Sequence, residues 1–244
     1  MTPGELLARK SIYHRIKKIT ELEMNKLSYI LNAGLVCLLL LPSVPAQAFD
    51  EGIDFQAIEP PLPTANPDKV EVLELFWYGC PHCYKFEPYL NKWLENKPAH
   101  VEFVRMPAIF RESWMPHARA YFTAEQLKIT DKIHSDFFDA YHKKKRPLMT
   151  RTDVQAFFAD YGVSKKDFED AWFSFPVQSK LKRAINMTQR YQVKGTPSMV
   201  VNGKYWTSAA LASSSNPTVP GNESMLKVVD ELVAREYANM QKSK

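Results

Sequence analysis

Val70-Glu71-Val72-Leu73-Glu74-Leu75-Phe76-Trp77-Tyr78-Gly79-Cys80-Pro81-His82-Cys83-Tyr84-Lys85-Phe86-Glu87-Pro88 changes character at its first cysteine. Before it, an apolar run broken only by Glu71 and Glu74 has the length and composition of a buried strand. After it, Phe86, Tyr89, Leu90, Trp93 and Leu94 recur at helical spacing on one face. Pro88 lies inside that pattern, removes a hydrogen bond to the Tyr84 carbonyl and predicts a kink. Cys80 and Cys83 therefore stand where a strand hands over to a helix, spaced to close a disulfide within one helical turn. A thiolate at Cys80 faces unpaired N–H groups and the positive end of the helix dipole, which favour ionisation. Pro81 suits the first turn because it has no N–H to leave unpaired, and a protonated His82 adds positive charge beside Cys80.

The setting reads as a redox dithiol. Two other readings compete with it. A structural bridge is weakened because so short a loop removes little chain entropy. A zinc site needs two further ligands, and no second Cys-x-x-Cys or closely spaced His pair occurs in the chain. His100, His117, His134 and His142 are scattered through the sequence and read as surface or packed side chains. No metal is expected.

Downstream, Val193-Lys194-Gly195-Thr196-Pro197-Ser198-Met199-Val200-Val201-Asn202-Gly203-Lys204-Tyr205 returns to strand character, with Asn202-Gly203 as a two-residue hairpin turn. In this order, the two segments resemble the active-site segment and the cis-proline loop of the DsbA family of periplasmic thiol oxidases. The resemblance covers roughly Phe49 to the C-terminus. It implies catalytic roles for Cys80, Cys83, His82 and Pro81. It also implies a cis Thr196-Pro197 bond that puts the Thr196 backbone beside Cys80 and offers a substrate peptide a short edge, whereas the residues alone suggest a trans turn proline.

Glu74 lies six residues before Cys80 in a run otherwise suited to burial. By chemistry alone it is either a charge at an exposed strand end or a proton acceptor held under the dithiol. The family resemblance favours the second, because its members carry a buried acid here. Arg105, in a second strand over 100–106, aligns with the basic partner of that acid, where Lys is the expected form; its plainer reading is a solvated strand-end charge.

Between the two strand-bearing parts the pattern is helical, over 114–127, 130–142, 152–161, 164–175 and 177–191, with Gly162 and Pro176 as stops. Residues 49–68 are proline-rich and predict an extended lead-in with a short edge strand. An apolar stripe of Met225, Val228, Val229, Leu232 and Val233 predicts a terminal helix after a loop over 212–222. Pattern and resemblance together give a thioredoxin-like α/β fold with an inserted all-helical domain: first part 49–106, helical insertion 107–191, second part 192–244. The Lys143-Lys144-Lys145-Arg146 run is a solvated loop.

The N-terminus reads as an address. Leu27 to Leu41 is uncharged and leucine-rich, and Ala46-Gln47-Ala48 follows as a signal-peptidase pattern. Residues 1–48 are expected to be a signal peptide, with translation starting at Met1 or Met24; an uncleaved membrane anchor is the competing reading. Val36 before Cys37 argues against a lipoprotein. Cys37 leaves with the signal, so the mature chain keeps only Cys80 and Cys83 in an oxidising compartment.

The 244 residues, 45% hydrophobic and 24% charged, are ordinary for a chain with a substantial core. The formal charge of +5 falls to +2 after residue 48, which excludes nucleic acid as an expected partner. The reading is a periplasmic oxidase that donates the Cys80–Cys83 disulfide to newly exported proteins with free cysteines. No cofactor is required. A monomer is expected, and the resemblance implies a quinone-linked inner-membrane reoxidant of the DsbB type. A reductase or isomerase of the same frame, a peptide-binding chaperone and a metallochaperone remain as alternatives.

Overall fold

Strand β2 (Val70–Phe76) is buried along almost its whole length because both of its neighbours and both of its faces are covered. The computed structural model describes residues 49–214 and 218–242, so the expected signal segment and the choice of start lie outside the described residues. On one side β2 pairs in parallel with β3 (Val101–Pro107), in a register running from Val70 opposite Val101 to Phe76 opposite Pro107. Helix α1 (Pro81–Asn96) makes the crossover. On the other side β4 (Ser198–Val201) and β5 (Tyr205–Thr207) run antiparallel, and a short edge strand β1 (Gln56–Ala57) closes the order β1-β5-β4-β2-β3. The proline-rich lead-in thus supplies an edge strand, as expected.

The period-two alternation of β2 divides the core. Val70 and Val72 face α1 and the terminal helix, packing with Phe86 and Leu90 and with Val228, Val229 and Leu232. Leu73 and Leu75 face the helices between the strands, packing into one cluster with Ala118, Phe137, Ala184 and Tyr191. Each fully buried Leu or Phe in these clusters contributes about 1.5–3 kcal/mol relative to exposure. Residues 49–244 form one compact unit, because the helices share their core with the sheet.

The helices between β3 and β4 are α2 (Met115–Gln126), after a 3-10 turn at Glu112–Trp114, α3 (Thr130–His142), α4 (Arg151–Ala159), α5 (Lys165–Trp172) and α6 (Phe175–Arg190). Hydroxyl caps start three of them. Thr150 and Asp153 form a reciprocal capping box on α4, and Ser164 and Ser174 accept from the Asp167 and Val177 N–H groups. The Ser174 cap corrects one expectation. Pro176 does not stop a helix; it sits in the first turn of α6, where its missing N–H costs nothing.

The hairpin differs in a similar way. Asn202 and Gly203 have φ of +52° and +64°, the conformation a type I′ turn needs, but pairing resumes at Val201 opposite Tyr205. Three residues therefore separate the paired ends, because the Lys204 carbonyl turns out to accept from the Ile58 N–H of the lead-in. The expected loop over 212–222 is shorter at both ends. A single helical turn α7 (Ala209–Ala212), capped by Ser208, precedes it, and helix α8 (Gly221–Lys242) begins inside it. Among the described residues no helix is long and apolar enough to cross a membrane.

Candidate active site

Cys80 is the N-cap of α1, with extended backbone angles and its sulfur accepting the Cys83 N–H at 3.4 Å. Its own N–H donates to the Trp77 carbonyl at 2.9 Å, which closes the turn between β2 and α1. Gly79 is required in that turn because a side chain there would overlap the Trp77 indole, itself stacked on Trp114 at 4.1 Å and 3°. Both cysteines are free thiols. Cys80 is 6% exposed and Cys83 fully buried, so an incoming thiol reaches only Cys80.

Hydrogen bonds from Cys83 hold the Cys80 thiol down to about 5; its buried position opposes the shift, while the Thr196 side chain and the N–H groups of Cys83 and His82 add to it. Burial, followed by the bond to Cys80, pushes Cys83 well above the ordinary thiol range. The helix terminus therefore acts on Cys80 through specific donors. His82 joins them with its backbone, and its exposed side chain borders the surface beside the dithiol. Pro81 occupies the first turn of α1, exposed.

The second predicted segment lies against the first. The Thr196–Pro197 bond is cis, and the Cys80 thiol donates to the Thr196 carbonyl at 3.3 Å across 116 residues of sequence. A groove of about 670 Å³ continues from there, lined by His82, Pro197, Trp206, Leu211 and Pro220 among others.

Beneath the dithiol, Glu74 is 0% exposed, which removes the reading of an exposed strand-end charge. The parallel register puts Arg105 opposite Glu74, and Arg105 Nε donates to Glu74 Oε2 at 2.8 Å. Arg105 is shared: its Nη2 lies 3.4 Å from both oxygens of Glu87, an acid on the buried face of α1. Burial pushes the Glu74 carboxyl up to about 7 against the pull of Arg105, and the Glu87 charge adds to the rise. Glu87 is also penalised by burial, yet its donors outweigh that and hold it below the usual carboxylate range, His134 foremost and then Arg105 and Asn91.

Sequence reasoning missed this second acid and its partners. His134 and His117 are buried, and His134 and His142 both hold Tyr78. The Tyr78 hydroxyl lies 2.9 Å from His134 Nδ1, and His142 Nε2 donates to the Tyr78 carbonyl at 2.8 Å. The one local signal was Glu87 itself, an acid at the i+4 position from Cys83 on a stripe continued by Phe86 and Leu90. Nothing local marked His134 or His142, because their partners are 47 to 64 residues away.

Known proteins are similar to this chain in sequence and fold. A family model described as a DSBA-like thioredoxin domain matches residues 104–233. The thiol:disulfide interchange protein DsbA of Pseudomonas aeruginosa is 38% identical over 197 residues, covering 81% of this chain and 90% of the relative. DsbA of Azotobacter vinelandii is 41% identical over 189 residues, covering 77% and 85%. The crystal structure of the P. aeruginosa protein superposes with a TM-score of 0.73 over 80% of this chain and 98% of that one, at 38% identity. DsbA from Xylella fastidiosa gives 0.68 over 76% and 96%, at 32% identity. A thioredoxin-like sheet with an N-capping cysteine of a Cys-x-x-Cys pair defines a thiol:disulfide oxidoreductase. The chain belongs to the DsbA family.

Proposed function

We propose that this oxidoreductase works as a periplasmic dithiol oxidase, donating the Cys80–Cys83 disulfide to newly exported proteins. The observation that carries the reading is the asymmetry of the pair: Cys80 is held as a thiolate by donors at the helix terminus, and Cys83 is buried and keeps its proton. A substrate thiolate attacks Cys80 Sγ, the Sγ–Sγ bond breaks, and Cys83 leaves and takes up a proton. A second substrate thiolate then attacks the substrate sulfur of the mixed disulfide and expels Cys80 as a stable thiolate. Stabilising the reduced form in this way makes the protein an oxidant.

In this scheme Cys80 is the nucleophile and leaving group, Pro81 and His82 shape its terminus, and Glu74 exchanges the proton of Cys83 with Arg105 as counter-ion. Thr196 and cis-Pro197 present the backbone edge on which an extended substrate segment pairs. Residues 1–48 serve as the signal, removed after Ala48, and residues 107–191 are the helical insertion between 49–106 and 192–244. The mature protein is a monomer, reoxidised by a quinone-linked membrane protein of the DsbB type.

Equilibration of the pair with glutathione buffers, together with a metal assay on the reduced protein, tests the reading. An oxidising potential and no metal binding are expected. A potential in the range of cytosolic reductants shows a reductase, and tight stoichiometric metal shows a metallochaperone. In cells, Cys83→Ala is expected to accumulate mixed disulfides with exported proteins, and Cys80→Ala none.

A further inference from the structure

Two buried acids share one guanidinium. Arg105 lies nearer Glu74, at 2.8 Å, than Glu87, at 3.4 Å, so the arginine alone would favour charge on Glu74. The remaining donors are distributed the other way. Glu74 Oε1 has no hydrogen-bond partner among the described residues, whereas Glu87 Oε1 also lies 3.4 Å from His134 Nε2.

The far side of that imidazole is equally constrained. Tyr78 is fully buried and its hydroxyl lies 2.9 Å from His134 Nδ1; the Glu87 carboxylate on the other side of the ring can only accept, so Nε2 of a neutral ring donates to it and Nδ1 accepts from the Tyr78 hydroxyl. A ring that accepts at Nδ1 carries its hydrogen at Nε2, facing the Glu87 carboxylate. Burial disfavours the charged ring, and its Nε2 faces Glu87 at hydrogen-bond range. The result is a directed chain of hydrogen bonds from the active-site turn through α3 to α1, ending on the shared arginine.

We infer that His134, oriented by Tyr78, is a positioning residue for the exchange reaction: its Nε2–H holds the negative charge on Glu87 and so reserves Glu74 for the proton exchanged with Cys83. The inference rests on the role proposed above for Glu74. When the disulfide opens, Cys83 leaves as a thiolate and the Glu74 carboxyl gives it a proton, becoming a carboxylate beside Arg105. When a disulfide-bearing reoxidant forms a mixed disulfide at Cys80, Cys83 attacks the Cys80 sulfur, the bond from Cys80 to the reoxidant breaks with the reoxidant's sulfur leaving as a thiolate, and the Cys83 proton returns to Glu74. Were the charges exchanged, with Glu87 protonated and Glu74 permanently ionised, Glu74 would have no proton to give. The other groups facing these side chains are Asp131 on the helix of His134, Tyr121 from α2, and Cys83 from α1.

The test starts with the reduced wild-type protein near neutral pH. Nitrogen NMR of the imidazoles is expected to find His134 as the Nε2–H tautomer; an Nδ1–H tautomer or an imidazolium overturns the inference. Carboxyl-carbon NMR then follows Glu74 and Glu87 as the pH falls. In wild type Glu74 protonates first. In His134→Leu the order is expected to reverse, each midpoint moving by about one to three pH units. His134→Gln, which keeps an N–H donor without a titrating ring, is expected to restore the wild-type order.

The pH midpoint for attack of Cys83 on a glutathione mixed disulfide at Cys80 is expected to fall in His134→Leu and recover in His134→Gln. A purely structural role would change the rate without moving that midpoint. An unchanged protonation order in His134→Leu overturns the inference. If that variant does not fold, Tyr78→Phe, which removes only the hydroxyl, is expected to raise the Glu87 midpoint, and an unmoved midpoint is equally decisive. None of these readouts depends on the direction of redox transfer. A reducing potential with this titration order would sink the oxidase reading and leave the inference standing.

Discussion

Cys80 is ionised by its neighbours at hydrogen-bond range, and this makes its charge sensitive to single side chains. With the Cys80 thiol near 5 and Cys83 well above the ordinary thiol range, reduced protein at about pH 6 is expected to be alkylated at Cys80 far faster than at Cys83, as read by mass spectrometry of trapped peptides. Equal rates would end the assignment of roles. The same shift has a thermodynamic sign. The folded value lies below the unfolded one, so the reduced form gains stability as the pH rises from about 5 toward 9 and loses it as the pH falls through 5. The melting-temperature advantage of reduced over oxidised protein should accordingly grow from acid to neutral pH. His82→Leu removes the imidazole but leaves the backbone N–H that faces Cys80. Its reduction potential is expected to become more negative, with about 30 mV for each tenfold change in the equilibrium constant. A more oxidising potential in that variant would refute thiolate stabilisation by the side chain.

At the scale of elements, the turn between β2 and α1 depends on a glycine for space and not for dihedral freedom. Gly79→Ala forces its new methyl against the Trp77 ring, which is held flat on Trp114 and cannot withdraw without unstacking. Overpacking of this kind costs about 1–3 kcal/mol, and a lower melting temperature with altered tryptophan fluorescence is expected. A wild-type melting curve in Gly79→Ala would show that the indole pair yields freely. The helix starts are fixed by a different relation. Thr150, Ser164 and Ser174 each stand where a hydroxyl can take an unpaired N–H, a purely local relation. Pro176 shows how such local reading slips, since the same residue that ends one helix is tolerated in the first turn of the next.

For the molecule as a whole, the cost of keeping a carboxyl under the sheet should appear in its pH profile. Burial raises Glu74 to about 7 from a usual value of 4.5, so the folded protein binds a proton that the unfolded chain has released. Stability therefore falls as the pH rises from about 4.5 to 7, opposite in sign to the Cys80 contribution. Glu74→Gln is expected to flatten that part of the profile, because its carbonyl still accepts from Arg105 without titrating. Denaturant unfolding of the oxidised protein, in which Cys80 does not titrate, isolates the effect. An unchanged slope would mean that Glu74 stays ionised in the fold.

What the sequence determined by itself is what short-range chemistry determines. The apolar run up to Trp77, the cysteine spacing, the helical stripe after it and the Asn202-Gly203 turn are each contained in fewer than twenty residues, and each follows from periodicity, capping or permitted φ. Only the tertiary structure decided which of these pieces meet. The Thr196 carbonyl reaches Cys80 across 116 residues, Tyr78 meets His134 across 56, and Arg105 meets Glu74 across 31 because the register of two parallel strands puts them opposite. Glu87 reads locally as an acid misplaced on an apolar stripe, and His134 and His142 read as isolated histidines. They become one network only when the interstrand helices close over the sheet and leave polar groups with no water to satisfy them, so that each must find its partner in another part of the chain.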